Sequence, residues 1–164
     1  MVQLFVSNGA PIDIQNKGGH TPLHVAAQEG HVNVMKLFLK NGAKVDARIL
    51  TLDTPLHFAA QEGRTDVAKV LLEFGALVDA VNESHNTPLH VAALQGDADM
   101  AAVLLGALAD VNGGNKEQDT PLHFAAGRGN SSMVKLLMEN GATVDAGNKV
   151  RRLHGSTRSC PPLA

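Results

Sequence analysis

The sequence contains no tryptophan or tyrosine and only five phenylalanines, so it offers almost no flat surface on which exposed nucleobases would stack. Fourteen basic residues stand against sixteen acidic ones, a formal charge of -2, and no broad cationic field exists to hold phosphates or an anionic membrane. Nucleic acid is not an expected partner. The single cysteine, Cys160, excludes a disulfide framework, a zinc site built on two or more thiolates and a paired redox motif. No apolar run approaches the ~18 residues of a membrane span, and the opening MVQLFVSNG has neither a cationic leader nor a signal-length apolar stretch. The expectation is a soluble chain, cytoplasmic or otherwise intracellular, without membrane insertion. Catalytic signatures are missing as well, since no GxxxxGK[ST] loop, GxGxxG turn, HExxH helix or GxSxG elbow occurs. The chain is read as noncatalytic, with no cofactor and no metal. Asn82-Glu83-Ser84 and Asn130-Ser131-Ser132 match the glycosylation pattern, but so short a match arises by chance and needs a secreted context.

What the sequence does have is enough apolar material, 44% of 164 residues, for one folded domain of ordinary size, arranged with a strict period. TPLH begins at Thr21, Thr54, Thr87 and Thr120, thirty-three residues apart each time. Ala26-Ala27 recurs as Ala59-Ala60, Ala92-Ala93 and Ala125-Ala126, and Gly30 as Gly63, Gly96 and Gly129. Such a period marks a stacked repeat array.

Each unit reads as two short helices and a connecting arm. Thr21 is an N-cap, and Pro22 occupies the first helical position, where its missing N–H costs nothing. Leu23, Ala26 and Ala27 form an apolar stripe that ends at Gly30, and small alanines let a neighbouring helix approach closely. A second helix is expected from about Val32, with Val34, Leu37 and Phe38 at helical spacing and Gly42 placed as the left-handed cap. The run AKVDARILTLD alternates and is rich in β-branched residues, so it is expected to be an extended arm that turns back to the next Thr. Helices this short are not stable alone, because nucleation is recovered only over ~12 to 15 residues. Stacking must hold them.

The segments GGHTPLHVAAQEGHVNVMKLFLKNGAKVDA and NTPLHVAALQGDADMAAVLL resemble ankyrin repeats. The resemblance covers units 16–48, 49–81, 82–114 and 115–147, with 1–15 similar to the second helix and arm of a further unit and 148–164 outside it. It implies an all-α repeat solenoid: helix-turn-helix units in a slightly curved stack, joined by β-hairpin-like loops projecting at right angles. It also implies a Gly two residues before each Thr, where the turn favours positive φ; only Gly19 complies, against Leu52, His85 and Gln118.

His24, His57, His90 and His123 each follow their Thr cap by three residues, where a capping box places a side chain that reaches back. One ring nitrogen is expected to accept from the cap and the other to donate to a backbone carbonyl of an adjoining turn. Equivalent side chains in stacked units lie ~8 to 10 Å apart, too far for successive histidines to share a zinc ion whose ligands stand at ~2 Å. Thr21, Thr54, Thr87, Thr120 and their histidines are thus structural joints. Asp46, Asp79, Asp110 and Asp145 lie in or beside the arms and are expected to make turn hydrogen bonds. Turn geometry is likewise expected of Gly18, Gly19, Gly113 and Gly114. His20, His31, His85 and His154 are read as solvated, and Cys160 as a spectator thiol.

The third unit carries Leu108 where Gly42, Gly75 and Gly141 stand, and its second helix is expected to stop early, at Gly106. The fifth TPLH fails to appear at 153, so the repeats are expected to end near 148, before a disordered or appended tail in which Lys149, Arg151 and Arg152 form a solvated cluster. Neither end shows a complete cap, which suggests a fragment or compact member of a longer array, monomeric or weakly self-associating end to end.

By the resemblance, an unidentified partner protein binds the concave face of arm tips and first helices. That face comprises Lys17, His20, Gln28 and Glu29, then Arg48, Leu50, Thr51, Asp53, Gln61 and Glu62. It continues through Val81, Glu83, Ser84, Asn86, Leu94 and Gln95 to Lys116, Glu117, Asp119 and Arg128. The most apolar tip, Ile49 to Leu52, is either a contact or partly buried against adjacent arms. Two alternatives accompany the scaffold reading: a self-associating structural segment, or the targeting array of a larger multidomain protein or enzyme.

Overall fold

The computed structural model describes residues 11–144. Asp145, Lys149, Arg151, Arg152, His154, Cys160 and the 148–164 tail lie outside the described residues, as do residues 1–10 of the N-terminal partial unit.

Among the described residues there are eight helices and no strands. They pair as α1 (Pro22–Glu29) with α2 (Val32–Lys40), α3 (Pro55–Gln61) with α4 (Thr65–Glu73), α5 (Pro88–Gln95) with α6 (Ala98–Gly106), and α7 (Pro121–Gly127) with α8 (Ser131–Glu139). First helices pack on first helices and second on second, so two parallel rows advance together, unit by unit. None of these helices is long and apolar enough to cross a membrane.

The core follows from the repeat. Leu23, Leu56 and Leu89 are buried, each with its Ala pair, and the alanines of α3 and α5 have no exposed surface at all. Each such Leu contributes about 1.5–3 kcal/mol relative to an exposed one. The last unit departs from this: Ala125 is buried but Ala126 is exposed. On α2 the deeply buried residues are Met35 and Leu39, one turn apart on the inner edge, whereas Val34, Leu37 and Phe38 are only half-buried.

The arms are not extended strands. A turn at 45–46 breaks the run AKVDARILTLD, and the tip closes at 50–51 with Ile49 N–H donating to the Asp53 carbonyl. Adjacent arms are joined by single main-chain bonds, Leu50 N–H to Gly18 O, Glu83 N–H to Thr51 O and Lys116 N–H to Ser84 O. One bond per junction aligns the tips without building a ladder. Inside three of the tips an Asn side chain folds back: Asn16 Oδ1 accepts from the amides of Gly18 and His20, and Asn82 and Asn115 repeat the pattern.

The stack imposes its backbone on residues ill-suited to it. Gly19 has φ 81, and Leu52, His85 and Gln118 at the equivalent places adopt 63, 60 and 64. The turn is therefore kept without glycine. Of the other arm glycines, Gly18 lies in the turn of its tip and Gly113 N–H donates to the Asp110 carbonyl, so these two keep the expected turn geometry; neither they nor Gly114 has a positive φ. In the third unit α6 ends at Gly106 as expected, but that stop is not early: it is in register with the ends of α2, α4 and α8, and Leu108 takes φ 67 where its equivalents are glycine. Main-chain bonds from Leu108 N–H to Leu105 O and from Ala109 N–H to Leu104 O close that cap, with the Leu108 side chain turned to solvent.

Candidate functional site

Four joints fix the frame on which any site is carried. In the first, His24 Nδ1 accepts from Thr21 N–H at 3.1 Å and lies 2.9 Å from Thr21 Oγ1. A main-chain N–H only donates, so Nδ1 is unprotonated and the ring hydrogen sits on Nε2. Nε2 then donates to the Asp53 carbonyl in the following arm at 3.3 Å. His57 and His90 do the same toward Asn86 and Asp119, at 2.9 and 3.0 Å. His123 makes the cap contacts with Thr120, at 3.1 and 3.0 Å. Burial pushes the His24, His57 and His90 imidazoles below their ordinary pKa, against the opposing pull of the carbonyl bonds.

The arm carboxylates do more than turn the chain. Asp46 accepts from Leu77 N–H at 3.1 Å and Asp79 from Asp110 N–H at 3.0 Å, so each clamps the next unit rather than its own turn. Asp13 does so toward Lys44, and Asn112 toward Thr143. Asp110 makes a local bond instead, accepting from Asn112 N–H. Sequence spacing linked Asp46 and Asp79 but gave no sign that their partners lie thirty-one residues away.

His20 departs from its solvated reading. It is half-buried, its Nδ1 has no hydrogen-bond partner, and its ring packs edge-on against Phe58 at 5.4 Å and His24 at 6.1 Å. His31 and His85 are exposed.

With the frame closed, the remaining positions differ from unit to unit. None of the twenty residues placed on the arm-tip and first-helix face is buried. Lys17, Leu50, Glu83 and Lys116 succeed one another along the tips, and Leu50 is 76% exposed, so its side chain is not covered by neighbouring arms. Others serve the frame as well as the face. Asp53 Oδ1 accepts from Asn82, Asn86 Oδ1 accepts from Asn115, and Arg48 Nη1 donates to Val81 O.

At the ends of the first helices the succession is Gln28-Glu29, Gln61-Glu62, Leu94-Gln95 and Gly127-Arg128. At these helix ends the charge passes from acidic in the first two units, at Glu29 and Glu62, to basic in the fourth, at Arg128. Where Gly127 replaces the bulkier residue, an open hollow of about 400 Å³ forms, lined by Leu94, Asp119, His123, Phe124, Gly127 and Arg128. Phe124 stands edge-on to His90 at 5.7 Å, which ties this hollow to the joint beneath it. Leu94, Asp119 and Arg128 were expected on the face; Phe124 and Gly127 were not. The signal for them is the succession Gln28, Gln61, Leu94, Gly127, in which the fourth unit lacks a side chain.

Among the described residues no three His, Cys, Asp or Glu side chains gather as a metal site. A family model described as ankyrin repeats (3 copies) matches residues 1–82 and again residues 75–149. No curated protein matches the chain.

Proposed function

The chain belongs to the ankyrin-repeat family, whose repeats are generally protein–protein interaction modules, and we propose that it is a noncatalytic scaffold that binds a partner protein. Binding runs along the face of arm tips and first helices, concave by the family's pattern, through the residues from Lys17 to Arg128 named above. One observation carries this reading. The bonds that hold the units together repeat almost unchanged, while the exposed tips read Lys17, Leu50, Glu83 and Lys116 and the helix ends pass from Glu29 to Arg128. A fixed frame with a varied edge is what selective recognition requires.

The test is retention of proteins from a cell extract on the immobilised chain. Wild type and a control variant at the end of α2, Lys40→Glu, retain the same protein. A variant carrying Leu50→Asp and Arg128→Glu loses it, with its urea midpoint unchanged. Equal retention on all three would refute the assignment of the face.

A further inference from the structure

Resting on the protein-binding reading, we infer that the hollow between the third and fourth units takes a bulky apolar side chain of a partner peptide that carries a carboxylate beside it, held by Arg128. The hollow exists because the repeat is interrupted at one side chain. Gln28 and Gln61 fill the equivalent place in the first two units and Leu94 in the third, and Gly127 leaves it vacant. The half-buried Leu94 and Phe124 give the hollow apolar walls that remain in contact with water. Covering them with an apolar side chain is favourable at about 25 cal/mol per Å².

The charge of the occupant follows from the ends of the first helices. Arg128 is exposed, and among the described residues its guanidinium has neither an ion-pair nor a hydrogen-bond partner. Guanidinium pairs best with a planar carboxylate, through two parallel hydrogen bonds. Glu62 and Glu29 occupy the equivalent positions two and three units away, so those helix ends offer a carboxylate no cation to pair with. An acidic residue is thus drawn to the fourth unit, and the apolar residue next to it reaches the hollow. Asp119, also on the rim, is engaged by its main chain with Asn115 and His90.

The substitution that closes the hollow is compatible with the fold. A Cβ at Gly127 meets nothing within 4 Å, its φ is not positive, and the first two units already carry Gln there. The full-length chain is used to select from a random peptide library displayed on phage, and an enriched peptide is synthesised with a fluorescent label. The expected sequences carry a large aliphatic or aromatic residue with Asp or Glu adjacent. Gly127→Gln weakens the labelled peptide at least about thirtyfold, a hot-spot-sized loss. Arg128→Glu weakens it similarly and is partly rescued when the peptide's acidic residue is changed to Lys.

Enriched peptides that are basic or lack an apolar residue overturn the inference. So does enrichment of none, which leaves larger folded partners to the retention experiment. Peptides lost with Leu50→Asp but indifferent to Gly127→Gln keep the scaffold reading and remove the hollow from it. Displacement of the labelled peptide by a synthetic peptide of residues 145–164 gives the hollow to the chain's own end. A sedimentation coefficient that falls on Gly127→Gln gives it to a second copy. Either result is incompatible with a foreign peptide as occupant.

Discussion

His57 donates from Nε2 to the carbonyl oxygen of Asn86 at 2.9 Å while its Nδ1 accepts from the amide of Thr54 at 3.2 Å. One neutral ring therefore caps its own helix and grips the next arm, twenty-nine residues further along the chain. The same pair of bonds at His24 and His90 makes the stack a series of like joints.

Protonating such a ring places a hydrogen on Nδ1 against the amide it accepts from. Burial lowers the folded pKa of His24, His57 and His90, so as pH falls the unfolded chain takes up protons first. Their stabilisation is complete above the unfolded value of about 6.5 and is lost as pH drops below it toward the folded value. His57→Gln keeps a capping side chain but does not reach Asn86, and is expected to cost about 1–3 kcal/mol at neutral pH. Urea midpoints followed from about pH 7.5 to about 5.5 should fall less steeply in the variant than in wild type. Identical slopes would show that the ring does not titrate with folding.

Leu108 holds φ 67 with its side chain 87% exposed, so the strain is not offset by packing. A left-handed L-residue costs roughly 1–2 kcal/mol, and glycine relieves it at some cost in unfolded-state entropy. Leu108→Gly is expected to stabilise the protein by about 0.5–1 kcal/mol. A urea midpoint equal to or below that of wild type contradicts the strain.

Asp46 contributes two acceptor oxygens to one amide of the next unit, Leu77 N–H, at 3.1 and 3.3 Å. Asp46→Ala removes the acceptors and should cost about 1 kcal/mol, with little change to either unit's own helices. Hydrogen exchange gives the local readout. The Leu77 amide should lose protection while that of Asp110, held by Asp79, keeps it. Equal loss at both sites would mean a general loosening of the stack rather than a broken clamp.

Much of the fold was legible because it is local. Thr, Pro and His at fixed spacing define a helix start, a Gly ends it, and the thirty-three-residue period declares that one unit is copied along a line. The arms were less legible. Alternating β-branched residues in AKVDARILTLD satisfy a strand pattern, yet a single main-chain bond per junction leaves them as turns. Leu108 was misjudged for a related reason: propensity disfavours the left-handed cap, but the register of the stacked second helices outweighs it. The expected face contained Leu94, Asp119 and Arg128 without revealing that they surround a vacancy.

The sequence by itself determined the repeating unit, its helix caps, the histidine that closes each cap and the absence of catalytic motifs, since these depend on residues a few positions apart. The tertiary structure alone decided which neighbour each joint grips, that Asp46 reaches Leu77, that His20 lies against Phe58, and that Gly127 opens a hollow beside Phe124 and Arg128. Those facts relate residues in different units. They arise only when stacking brings equivalent layers into contact, and the contact turns a missing side chain into a space.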